Sequence, residues 1–130
     1  MYRFGDVLWG NFPNFDGSVK QHPALVVSEP LSDGSVLAVV GTTKHVARAS
    51  AGGQVVVSHG RAAPKAWQQT GLREPTGFDL VNGYLIAIYV QPGRAGEFDE
   101  EKIGNILANQ QWVWDTRRAF QFALTERKRL

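Results

Sequence analysis

The chain has 130 residues, the length of one ordinary domain and enough for a real hydrophobic core. Apolar residues at 43% against 20% charged mark a globular chain rather than a disordered one. There is no cysteine, which excludes disulfides and thiolate metal sites, and the net charge of +2 decides nothing by itself.

The distribution of that charge says more. Residues 34 to 73 contain Lys44, Arg48, Arg61, Lys65 and Arg73, with His45 and His59, and no acid. The acids gather elsewhere, as in Glu97, Asp99, Glu100 and Glu101. A one-sign region of this length can form a positive surface that attracts phosphates. The alternative is that these cations point in different directions once the chain folds. Met1 to Asp6 hold no apolar run behind a basic segment, and no stretch approaches the roughly 20 apolar residues of a membrane helix. A cytoplasmic domain with no membrane partner is expected.

Residues 5 to 12 read as a first strand, with β-formers between turn residues. Residues 13 to 22 read as a loop, with Asp16-Gly17 as its strongest turn signal. Residues 23 to 29 form a continuous apolar strand whose first position suits Pro23, since no ladder donor is needed there. The turn Ser32-Asp33-Gly34-Ser35 leads to a third strand at 36 to 42, and a loop at 44 to 53 leads to another at 54 to 58. A short helix is expected within 61 to 70 around Trp67, limited at its start by Pro64. Residues 71 to 77 are turn-rich, and 83 to 90 read as a strand. A helix is expected from near Asp99, because Ile103, Ile106 and Leu107 repeat at i, i+3 and i+4 and Glu100 and Glu101 suit a first turn. Residues 110 to 130, rich in Trp112, Trp114, Phe120 and Phe122, fit either a continued helix or a new one. The spacing of two within each aromatic pair is no clean helical stripe, so the members of a pair face different surroundings. Short strands with a late helix indicate a mainly β (α+β) fold.

Particular residues carry a resemblance. Gly5-Asp6-Val7-Leu8-Trp9, then Gly17-Ser18, then Pro23-Ala24-Leu25-Val26-Val27-Ser28 resemble the opening of the MazF/PemK family. That family reads Gly-Asp-(apolar)₂-Trp, a loop with Gly-Ser, and Arg-Pro-Ala-(apolar)₃-Ser. Val39-Val40-Gly41-Thr42-Thr43 is similar to the end of its third strand, and Gly71-Leu72 with Thr76 to the segment before a long strand. The resemblance covers about residues 4 to 109. It implies an SH3-like β-barrel of the MazF/PemK/CcdB type with a C-terminal helix. Residues 1–109 would be the barrel and 110–130 a helical extension of the same domain.

The resemblance also implies a homodimeric toxin that cleaves single-stranded RNA without a metal and is paired with a cognate antitoxin protein. In that reaction the ribose 2′-OH attacks the adjacent phosphorus. A base takes the 2′-OH proton, an acid protonates the leaving 5′ oxygen, and cations or hydroxyls stabilise the phosphoryl charge. The family uses an Arg before the Pro-Ala strand, a Thr of the later pair and, in many members, a loop Glu. Here the Arg position is His22, Thr42 matches the Thr with Thr43 beside it, and the Glu has no counterpart. Arg is a fixed cation, whereas His transfers protons, so His22 becomes the acid or base. Lys20 and Lys44 would supply charge. His45 and Phe15 would join them in contacting RNA, Phe15 either stacking on a base or anchoring its loop. Trp9 reads as core or barrel rim rather than as a stacking platform.

No cofactor is expected, since no dinucleotide, P-loop or nucleophile-elbow pattern is present. Three histidines without i, i+4 spacing also argue against a metal site. The rival reading is a non-catalytic module on the same barrel that binds nucleic acid or an antitoxin, because fold does not fix function.

Overall fold

The computed structural model describes residues 1–14, 17–44, 53–58, 64–89 and 96–128. Its elements are β1 (Asp6–Pro13), β2 (Val19–Val26), β3 (Val36–Thr42), β4 (Gln54–Val57), α1 (Pro64–Thr70), β5 (Thr76–Asp79), β6 (Leu85–Ile88), β7 (Glu101–Asn105) and α2 (Gln110–Lys128). The strands form one curled antiparallel sheet, a half-barrel in the order β4-β5-β3-β2-β1-β7, with β6 also on β3. The protein is thus mainly β with a C-terminal helix. No described helix is long and apolar enough to cross a membrane.

Cross-strand rows build the core. Val7 faces Leu25, and Leu25 faces Val39, so one row joins three strands. All three are buried in a cluster with Val55, Phe78 and Trp112. The alternate row, Leu8, Ala24 and Val26 with Phe12 and Ile88, is buried on the other face. Period-two alternation therefore gives the central strands two covered faces. This explains why residues 23 to 29 read as a continuous apolar run.

One edge of β3 passes from β6 at Val36–Val39 to β5 at Gly41–Thr42, while on its other edge the ladder with β2 ends at Val40. Residues 19–23 of β2 pair with β1 but not with β3. The sheet splits at this point, and the candidate site lies beside the split.

Three expectations need correction. The segment from Asp99 is not a helix. Its core is β7, which pairs with β1 and carries a register shift between Val7 and Leu8. The spacing of Ile103, Ile106 and Leu107 imitates a helical face. However, Asp99 sits at φ 49° and Gly104 lies in the middle of the segment. A Cβ on Gly104 would overlap the backbone of Gln69 and Thr70, and one on Gly71 would overlap that of Ile103. These two glycines dock the end of α1 directly onto β7. Second, β2 begins at Val19, because the polar arm 19–22 pairs with β1 although its side chains are largely exposed. Third, β5 begins at Thr76 within the stretch read as turns.

α1 starts at Pro64, where a missing N–H is harmless. α2 is a new helix, not a continued one. Asn109 Oδ1 caps it by accepting from Trp112 N at 3.1 Å. Residues two apart on a helix face nearly opposite ways, so Trp112 is 2% exposed and Trp114 55%. At its other end Arg127 donates to the carbonyls of Leu80 and Gly83.

Candidate functional site

The β1–β2 hairpin positions His22. It sits opposite Gly10, where a Cβ would lie 2.9 Å from both Phe98 O and Glu100 Cβ. His22 Nε2 lies 2.6 Å from Asn14 Oδ1. Asn14 is itself oriented: its Nδ2 donates to Ser18 Oγ at 3.0 Å, and its carbonyl accepts from the Tyr84 hydroxyl at 3.0 Å. Oδ1 is the Asn14 atom that faces the ring, and an amide oxygen only accepts. Nε2 therefore carries the proton, and in the neutral ring Nδ1 holds the lone pair.

Burial lowers the pKa of His22, and the nearby charges of Lys20 and Lys44 lower it further. Both effects favour the neutral ring, the form that can accept a proton. The same two cations give a phosphate its attraction. Sequence reasoning left acid and base open, and this environment favours the base.

Thr42 lies on the face that His22 occupies. The register of Ala24 against Val40, carried two residues further, would set His22 opposite Thr42, but the ladder stops before that pair. Thr42 Oγ1 accepts from Lys44 N at 3.1 Å, so the threonine fixes the turn that presents the lysine. Thr43, one residue past the end of β3, is exposed and lines a cavity beside it. Phe15 and His45 lie outside the described residues, as do Arg48 and Arg61 of the basic stretch.

The cavity beside Thr43 has a volume of about 670 Å³ and is lined by Trp9, Gln21, His22, Pro23, Thr43, Arg73, Glu74 and Glu101, among others. Trp9 stands between Pro23 and Glu101 in a cross-strand row through β2, β1 and β7. The opposite wall is the segment from Gly71 to Thr76. Leu72 N donates to Thr70 Oγ1 at 3.1 Å and Thr76 Oγ1 to Glu74 O at 2.9 Å, which holds that segment in shape. Arg73 and Glu74 are both exposed along it. Among the described residues no group of three or more His, Asp or Glu is placed to hold a metal ion.

Arg73, Glu74 and Glu101 were not found by reading the sequence. Arg73 ended the acid-free stretch, but nothing local tied it to residues 50 positions earlier. Glu101 was assigned to a helix that does not form. No protein-family model matches the chain, and no curated protein matches it either.

Proposed function

We propose that the chain is a MazF/PemK-like toxin, an SH3-like barrel that cleaves single-stranded RNA in the cytoplasm without a metal. Its partners would be a second copy of itself and a cognate antitoxin protein. The observation that carries the reading is the setting of His22, a ring held by Asn14 whose neutral form is favoured by burial and by the charges of Lys20 and Lys44. Two chemical needs meet there, a proton acceptor and positive charge for a phosphate.

In the reaction His22 Nδ1 takes the proton of a ribose 2′-OH. The freed oxygen bonds to the adjacent phosphorus, and the bond to the 5′ oxygen breaks. The leaving oxygen takes up a proton from water, His22 returns its proton to solvent, and the products are a 2′,3′-cyclic phosphate and a 5′-hydroxyl. Lys20 and Lys44 stabilise the phosphoryl oxygens as charge grows on them. Thr42 Oγ1 accepts from Lys44 N, which holds that turn, and its own proton remains free to be donated to a phosphoryl oxygen. Incubation of the purified chain with single-stranded RNA in a chelator tests the reading.

The second copy is supported by open strand edges. β4 and β7 end the sheet, and the first half of β2 lacks a partner on β3's side among the described residues. Unpaired edges of this kind are usually covered. Sedimentation at micromolar concentration should return a dimer, and a purely monomeric boundary would remove the second copy from the account.

A further inference from the structure

We propose that the cavity between β1, β7 and the Gly71–Thr76 segment binds one unstacked guanine base. As a site on RNA this rests on the ribonuclease reading, but base binding itself does not require cleavage. At about 670 Å³ the cavity falls within the roughly 300–1,000 Å³ of small-ligand sites.

Its walls suit a flat heterocycle. Trp9 and Pro23 face each other across adjacent strands on the cavity side, giving an aromatic and apolar surface. Sequence-specific RNA recognition places unstacked bases on such surfaces and reads their edges by hydrogen bonds.

The polar groups select among the bases. Glu74 and Glu101 are acceptors only when ionised, and Arg73 is a donor only. Two carboxylates against one guanidinium disfavour a phosphate in the cavity. They favour a neutral ligand with adjacent donors on one edge and acceptors on another. Guanine has this pattern: N1–H and N2–H donate together, while O6 and N7 accept an arginine fork. Adenine and cytosine each offer a single exocyclic amine, and uracil a single ring N–H. The phosphate of the same nucleotide would then lie outside, toward Lys20 and Lys44 on the far side of β2.

The docking of Gly71 and Gly104 makes the two walls one unit, because it fixes the Arg73–Glu74 segment against the strand that carries Glu101. The cavity therefore needs no closure step to bring its donors and acceptors together.

Calorimetric titration of the full chain with the four ribonucleoside 5′-monophosphates tests the proposal. GMP should bind at least about tenfold tighter than AMP, CMP or UMP, the discrimination expected of one good bidentate contact. Glu101→Gln and Arg73→Ala should each weaken GMP about tenfold and leave the thermal unfolding midpoint unchanged, since both side chains are exposed. Equal affinity for the four nucleotides, no GMP binding, or variants that bind GMP like the parent would each overturn it. The two readings fail separately. GMP binding by a chain that leaves RNA intact keeps the cavity and sinks the nuclease, and cleavage without GMP binding does the reverse.

Discussion

His22→Ala is expected to slow RNA cleavage by at least about 10²-fold while weakening RNA binding far less. General acid–base assistance is typically worth about 10²–10⁴-fold, and the substitution removes the only proton acceptor assigned to the reaction. Binding survives because Lys20 and Lys44 remain. The pH profile follows from the direction of the pKa shift. Burial and two cations push the His22 pKa below its ordinary value, so the base is unprotonated and active at neutral pH. Activity should fall as pH drops through a midpoint below about 6.5, the unperturbed histidine value. His22→Arg separates proton transfer from charge. It keeps a cation but no base, so RNA binding should hold, cleavage should stay low and the acid limb should vanish. If His22→Arg cleaves as well as the parent, charge rather than proton transfer is what the position supplies. If both variants match the parent, His22 is a bystander.

Trp112→Ala should destabilise the protein by about 3–5 kcal/mol, the usual result of truncating a buried aromatic side chain. Trp112 is 2% exposed and shares its cluster with Val55, Val57, Leu72 and Phe78, which come from the sheet and the cavity wall. Domains of this size are stable by roughly 5–15 kcal/mol, so the loss is a large share of the total. The control is Trp114→Ala two residues away. Trp114 is 55% exposed, and its contact is with Arg118, whose guanidinium lies 5.2 Å from the ring. That substitution should cost no more than about 1 kcal/mol. Urea midpoints of the two variants distinguish the cases. Equal shifts would mean that α2 is an appendage rather than part of the core.

The parts of the molecule legible in the sequence were those whose signals are local. β-Forming residues and turn residues located β1, β3 and β4, and Pro64 limited the start of α1. The resemblance singled out His22 and Thr42, whereas the turn in which Lys44 N donates to Thr42 Oγ1 appeared only in the structure. The illegible parts depend on distant partners. Glu101 joins the cavity because β7 pairs with β1, nearly 100 residues earlier. Arg73 and Glu74 join it because two glycines allow α1 to touch β7. No periodicity reports such contacts, and the helix-like spacing of Ile103 and Ile106 pointed the wrong way. The end of β3 was also hidden. Thr42 and Thr43 read as one pair, yet β3 ends at Thr42, and Thr43 alone of the two lines the cavity.

The central claim is metal-independent cleavage at His22, and one measurement reaches it directly. Long single-stranded RNA is incubated with the purified chain in excess EDTA, and the ends of the fragments are identified. The account predicts discrete fragments with 2′,3′-cyclic phosphate and 5′-hydroxyl ends, formed at the same rate with and without the chelator. RNA that stays intact in EDTA, or fragments carrying 5′-phosphate ends, would contradict it.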